Sequence, residues 1–79
     1  MGYDVSVVVT LKAPPTEALM SELDHHFEVA AHTHGTKTVD LIEHVAIDTE
    51  ADAIAFVKSL VLDAIPDGAK ITEITATEV

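Results

Sequence analysis

The sequence predicts a small α+β domain, a two-layer sandwich in which both helices pack on one face of a small sheet. Three observations support this fold class: apolar and polar residues alternate over residues 3–12, two later segments carry apolar stripes at helical spacing, and Pro or Gly residues separate the segments. The predicted order is strand, helix, strand, helix, strand (βαβαβ), and right-handed crossovers place the two helices on the same face. With 79 residues, the chain is one domain spanning residues 1–79.

The first strand is predicted over residues 3–12, where one face is apolar and the other is mostly polar. The apolar face consists of Tyr3, Val5, Val7, Val9 and Leu11. Pro14 and Pro15 end the strand, because proline cannot donate a backbone hydrogen bond to a neighbouring strand. Pro15 also suits the first turn of a helix, where a missing donor is tolerated.

The first helix is predicted to begin at residue 15 or 16 and to reach about residue 33. Its apolar stripe repeats at helical spacing and consists of Leu19, Met20, Leu23, Phe27, Ala30 and Ala31. Gly35 follows this segment and offers the left-handed backbone conformation that commonly closes a helix.

The second strand is predicted over residues 36–48, a segment rich in Thr, Val and Ile. Its alternation is imperfect, because Glu43 falls in phase with the apolar residues and Ile42 does not. A β-bulge near residues 42–44 would explain this change of phase. A break into two short strands is the alternative, although no dipeptide typical of a tight turn is present.

The second helix is predicted over residues 49–65, because a threonine followed three residues later by a carboxylate is typical of a helix start. Its buried stripe consists of Ile54, Val57, Leu60, Val61, Ala64 and Ile65. The Pro-Asp-Gly sequence of residues 66–68 predicts a turn. The last strand is predicted over residues 69–78, and a shift of phase between Ile71 and Ile74 indicates an irregularity in it.

If each crossover leaves a gap for an antiparallel strand, the arrangement resembles a ferredoxin-like plait in shape, completed by a split second segment or by another subunit. The sheet face away from the helices is then half apolar and open to docking. The residues expected to contact a partner are Val8, Thr10, Ile42, His44, Ile74 and Ala76. Because a chain of this size buries little apolar surface, we expect a homodimer or strand addition at a sheet edge.

The composition also limits the function. The chain contains no Arg, Asn, Gln, Cys or Trp, and its fourteen carboxylates accompany only four lysines, for a formal net charge of −10. This charge argues against nucleic acid and membrane as direct partners, since both favour clustered Lys and Arg. The missing residue types are common in catalytic sites. We therefore expect a non-enzymatic protein without a cofactor, whose partner is another protein or a second copy; an acidic inhibitor of a basic surface is the alternative.

The expected location is the cytoplasm. The first nine residues lack the positive start and the long apolar stretch of a signal peptide. No apolar run approaches the length that a membrane-spanning helix needs.

Five histidines are present, and His25, His26, His32 and His34 lie within ten residues of one another. The preferred interpretation is a solvated helical face without a metal, with His32 and His34 near the negative end of the helix dipole. A bound divalent metal is one alternative, for which Glu28, His32 and His34 are weak candidate ligands, because Glu28 and His32 have the four-residue spacing of a helical pair. A pH sensor is the other alternative.

Glu43 and His44 are titratable neighbours within a mostly apolar segment. The simplest interpretation is that both side chains reach solvent at a sheet edge or bulge. An acid/base pair that contacts a ligand in a cleft is the alternative.

Overall fold

The computed structural model describes residues 2–33 and 35–79. The elements are β1 (Tyr3–Thr10), α1 (Glu17–His26), β2 (Val29–His32), β3 (Thr38–Val45), α2 (Glu50–Ala64) and β4 (Lys70–Glu78). The four strands form one antiparallel sheet in the order β2-β3-β1-β4. The chain is thus a small α+β domain, but the prediction of a three-stranded sheet is wrong, because β2 lies within the segment predicted as the end of the first helix.

The first helix ends seven residues earlier than predicted. Phe27 has extended backbone angles, φ −122° and ψ 152°, and its N–H still donates to the carbonyl oxygen of Leu23. Asp and His, which occupy the last turn, are weaker helix formers than Ala, Leu or Glu. The next residues pair with β3 instead, with Ala30 opposite Leu41. Interstrand hydrogen bonds therefore replace the helical ones that the apolar spacing predicted.

Both helices bury residues against the same face of the sheet. The buried core consists of Val5, Val7, Val9, Leu11, Leu23, Phe27, Val39, Leu41, Val45, Ala53, Val57 and Val61. Alternate residues of β1 and β3 supply the sheet side of this core, while Leu23, Val57 and Val61 come from the helices. The core is aliphatic apart from Phe27, as the shortage of aromatic residues predicts. The opposite face has no helix among the described residues.

The sheet has one irregularity, and it lies in β4. Val8 pairs with Glu73 and Val9 with Ile71, so Thr72 is left without a partner residue in β1. The Oγ1 hydroxyl of Thr72 donates to the carbonyl oxygen of Val8 at 3.2 Å. The irregularity predicted between residues 71 and 74 is therefore confirmed. The bulge predicted near residues 42–44 is wrong, since β3 pairs with β1 without a break.

Threonine hydroxyls begin both helices. Thr16 accepts from the backbone N–H of Leu19 at 3.1 Å, and Thr49 accepts from that of Asp52 at 3.3 Å. Each hydroxyl satisfies a donor that the first helical turn leaves without an intrahelical partner. The cap predicted at Thr49 is thus confirmed. Neither described helix combines the length and the apolar composition needed to cross a membrane.

Candidate functional site on the open sheet face

The sheet face away from the helices is the candidate functional surface, and we call it the open face. Side chains of consecutive strand residues point to opposite faces, so the register assigns each residue to one face. The open face carries Asp4, Ser6, Val8, Thr10, Val29, Ala31, Thr38, Asp40, Ile42, His44, Lys70, Glu73, Thr75 and Thr77. Hydroxyl groups and a few apolar side chains dominate this surface.

Four apolar residues of the open face lie together near its β2 edge. This open-face cluster consists of Val8, Val29, Ala31 and Ile42. Val29 lies directly opposite Ile42 and is 41% exposed. Asp40 lies between Val8 and Ala31 in the register. The cluster is therefore an apolar patch next to a carboxylate, a combination that suits protein contact.

His44 and Asp4 form a hydrogen-bonded pair at the other end of the open face. The Nδ1–H of His44 donates to Oδ1 of Asp4 at 2.9 Å, and the two side chains are 46% and 45% exposed. The imidazole ring also lies against the backbone of Gly2, where an added Cβ would come within 3.0 Å of Cε1. These contacts fix the orientation of the ring. In the described part of the chain, no hydrogen bond reaches its Nε2 atom.

Four of the six predicted contact residues share the open face, namely Val8, Thr10, Ile42 and His44. The other two do not, because Ile74 pairs with Val7 and Ala76 with Val5, on the face that the helices cover. Both pack against the core. The irregularity at Thr72 explains the difference, since an unpaired residue reverses the phase of alternation along β4.

Glu43 and His44 do not form an acid/base pair, because adjacent strand residues point to opposite faces. Glu43 lies opposite Val5 on the helix-covered face, and its Oε1 accepts the backbone N–H of Glu28 at 3.1 Å. This bond ties the turn between α1 and β2 to the sheet. Glu43 therefore occupies a position that is otherwise apolar because its carboxylate accepts this hydrogen bond, and the strand has no bulge there.

The two candidate metal ligands that the structure describes, Glu28 and His32, lie far apart. The sequence places Glu28 and His32 one helical turn apart. In the structure Glu28 precedes β2 and His32 is its last residue, so the two lie about 13 Å apart at strand spacing. His32 instead uses Nε2–H to donate to the carbonyl oxygen of Thr36 at 3.0 Å. His34 lies outside the described residues. Across residues 2–33 and 35–79, no three His, Asp or Glu side chains are placed to hold a metal ion.

A groove of about 360 Å³ lies where β1 leads into α1 and α2 leads into β4. It is lined mainly by Leu11, Lys12, Ala13, Pro14, Pro15, Thr16, Leu19, Pro66 and Asp67. Two sequence features lie in it, the Pro-Pro pair and the Pro-Asp-Gly turn, but each by itself predicts only the end of a strand or a helix. Their proximity depends on the tertiary fold, since about fifty residues separate them.

A smaller recess of about 210 Å³ lies between the two helices. Glu22, His26 and Asp63 contribute polar groups to it, and Leu60 and Ala64 form its apolar part. These three polar side chains are not among any set placed to hold a metal in the described segments. The recess is therefore a solvated seam between helices.

The charges of the molecule gather at opposite ends of the sheet. The end where β1 begins, which we call the acidic end, carries Asp4, Glu28, Glu43, Asp48, Glu50, Asp52 and Glu78. The end where β1 finishes is built from residues 11–17, 35–38 and 66–70, and we call it the lysine end, because it carries Lys12, Lys37 and Lys70.

Comparison of the chain with protein-family models, with curated proteins and with solved structures found no match in any of the three. The residues and geometry of the chain itself therefore carry the functional conclusion.

Proposed function

We propose that the protein is a non-enzymatic protein-interaction module that acts as a homodimer, with the open face as its interface. One observation carries this proposal: both helices contribute to a core on one face of the sheet, while the other face exposes the open-face cluster. Half-buried apolar residues in a cluster of this kind are typical of docking surfaces. The small aliphatic core also favours association, because burial on folding stabilises a chain of this size only modestly.

The proposed fold type is the ferredoxin-like plait. The element order β1-α1-β2-β3-α2-β4 and the antiparallel order β2-β3-β1-β4 support it, since a split β-α-β unit repeated twice has this arrangement. In such a fold the open face needs no partner for folding, so it is available for assembly. A cytoplasmic location stays a prediction.

A second copy fits the open face by area. Strands of eight, four, eight and nine residues give a face of roughly 460 Å², so two faces bury on the order of 900 Å², close to the lower bound for a specific interface. The interface of a two-fold dimer must be complementary to itself. The apolar cluster meets this condition, because the same side chains can pack on their own copies.

A second copy also fits by charge. Lys70 lies at one end of the open face and Asp4 at the other. A two-fold axis perpendicular to the strands places each end of one copy over the opposite end of the other, so Lys70 of each copy comes near Asp4 of its partner. Two such pairs form per dimer, and they offset part of the repulsion between two acidic chains.

The geometry supports a non-enzymatic role better than a catalytic one. The hydrogen-bonded pair of Asp4 and His44 lies on a half-exposed surface, whereas catalytic pairs work in water-excluding pockets. The alternative of an acidic inhibitor receives less support. A protein that blocks a basic surface by mimicking a DNA duplex needs carboxylates along one whole face, in place of the phosphates. Here seven of the fourteen carboxylates gather at one end of the sheet.

The dimer is tested by replacing Ile42 with Lys and measuring the mass in solution by light scattering after size-exclusion chromatography. The wild-type chain should have twice the monomer mass at micromolar concentration. Ile42→Lys should be monomeric, because dimerisation would bury an ammonium group in the apolar cluster. Ser59→Lys makes the same change of charge on an exposed position of α2 and should remain dimeric.

Charge reversal tests the two-fold arrangement. Lys70→Glu alone and Asp4→Lys alone should each weaken the dimer, and the two changes together should restore it. A wild-type chain that stays monomeric up to about 100 μM would refute the homodimer. An equal loss of association in Ile42→Lys and Ser59→Lys would refute the open face as its interface.

A further inference from the structure

The lysine end has a positive formal charge, although the chain as a whole is acidic. Residues 11–17, 35–38 and 66–70 contain three of the four lysines and two of the fourteen carboxylates, which gives +1. The rest of the chain therefore has a formal charge of −11, since the total is −10. The three segments meet because Thr10, at the end of β1, pairs with both Thr38 and Lys70.

The lysines at this end have no carboxylate partner among residues 2–33 and 35–79. The contact of opposite charge type within 4.0 Å in these ranges is that of His44 with Asp4, and none involves Lys12, Lys37 or Lys70. The chain has many more carboxylates than lysines, but in the described ranges none of these carboxylates lies close enough to pair with a lysine of this end. The ammonium groups are therefore available to an external anion.

The groove described above opens at the same end. Leu11, Leu19 and the three prolines make its lining mainly apolar, and Lys12 and Asp67 carry its charges. The Lys12 side chain runs across Gly68, close enough that an added Cβ there would overlap its methylene groups. Its stem thus continues the apolar surface while its ammonium group faces solvent.

The shape of the groove favours a chain segment over a small molecule. A volume of about 360 Å³ suits two or three apolar side chains, and small-molecule sites generally enclose most of the ligand surface. This groove is instead open on one side, along the exposed residues 12–14 and 66–67. An extended peptide can place alternate side chains in such a groove and leave the others outside.

We propose that the groove at the lysine end binds an extended segment of a partner protein in which apolar and acidic residues alternate. The apolar side chains enter the groove, and the carboxylates pair with Lys12, which lines it, and with Lys37, whose backbone carbonyl oxygen accepts the N–H of the groove residue Leu11. The acidic end is about 26 Å away along β1, well beyond the screening length of about 8 Å at physiological salt. An acidic segment is therefore repelled elsewhere on the surface and directed to this end.

This site is separate from the open face, so its test does not depend on the proposed homodimer. The experiment titrates the full, isotopically labelled chain with a peptide of alternating glutamate and leucine and records backbone amide signals by NMR. The signals of residues 11–13, 16–19, 67 and 68 should shift, while those of Ile42 and Thr75 on the open face should not. The apparent dissociation constant should rise as NaCl increases from 0.05 to 0.3 M.

Lysine variants test the role of charge. Lys12→Met keeps most of the side-chain stem, removes the ammonium group and should weaken peptide binding about three- to fivefold, as expected for one exposed ion pair. Lys58→Met removes a lysine from α2, away from the groove, and should leave the affinity unchanged. Thermal unfolding of both variants checks that each is folded.

Several results would overturn the proposal. One is the absence of shifts in the groove at millimolar peptide, and another is equal binding of a peptide with lysine in place of glutamate. Equal effects of Lys12→Met and Lys58→Met would also refute it. Concentration-dependent shifts of the same residues without peptide would assign the groove to a second copy instead of a foreign segment.

Discussion

Gly35 and Gly68 are the two described residues with positive φ, at 84° and 87°. An added Cβ at Gly35 would meet no atom within 4 Å, whereas at Gly68 it would overlap the Lys12 side chain. Gly35→Ala should therefore lower the free energy of unfolding by about 1–2 kcal/mol through backbone strain alone. Gly68→Ala should cost at least as much, because it also displaces Lys12. Urea unfolding measures both, and wild-type stability in Gly35→Ala would show that its backbone relaxes to negative φ.

Glu43 shows why single residues are hard to interpret from sequence. Glu43 falls in phase with the apolar residues of β3, and the structure places it on the same face as they are. The bulge predicted from this carboxylate is absent. The strand stays regular because Glu43 accepts a hydrogen bond from the backbone of Glu28, fifteen residues away in the chain. A long-range partner of this kind satisfies a polar group without any local signal. The same holds for Asp4 and His44, forty residues apart.

At the scale of elements, α1 depends on one buried side chain. Leu23 is the buried residue of this ten-residue helix and is 1% exposed. Helices this short are marginal in water without tertiary packing. Leu23→Ala should therefore lower the free energy of unfolding by about 2–5 kcal/mol. Leu62→Ala, at a position of α2 that is 54% exposed, should change it by about 0.5 kcal/mol or less.

Chemical denaturation monitored by circular dichroism compares the two leucine variants. A similar small loss in both would mean that α1 does not stabilise the domain.

The length of α1 was the main error in the prediction of elements. Phe27, Ala30 and Ala31 continue a helical spacing, and residues 29–32 show no alternation of apolar and polar residues that would indicate a strand. Pairing with β3 makes these residues a strand, and β3 is distant in the sequence.

At the scale of the whole molecule, the separation of charge determines how salt acts. Seven carboxylates and no lysine make up the acidic end, and their mutual repulsion destabilises the folded state. Raising NaCl from 0.05 to 0.5 M should stabilise the protein by about 1 kcal/mol, which corresponds to about 4–8 °C in the midpoint of thermal unfolding for a domain of this size. Scanning calorimetry measures the change.

Choline chloride at equal ionic strength is the control for this salt effect. Screening predicts the same rise with either salt, because it depends on ionic strength and not on the cation. A rise with NaCl alone would indicate specific sodium binding, and no rise with either would show that repulsion at the acidic end is weak. The two proposed sites are also distinct, since no residue that lines the groove lies on the open face.

The sequence by itself determined the class of the fold, the sheet-forming segments of β1, β3 and β4, the second helix and its threonine cap. These features depend on local periodicity, proline placement and capping, which are visible in a single segment. Tertiary structure alone decided that residues 29–32 form a strand, that Ile74 and Ala76 face the helices, and that Lys12, Lys37 and Lys70 lie at the end of the sheet where the groove opens. The physical reason is that strand pairing and the meeting of loops depend on partners far away in the chain.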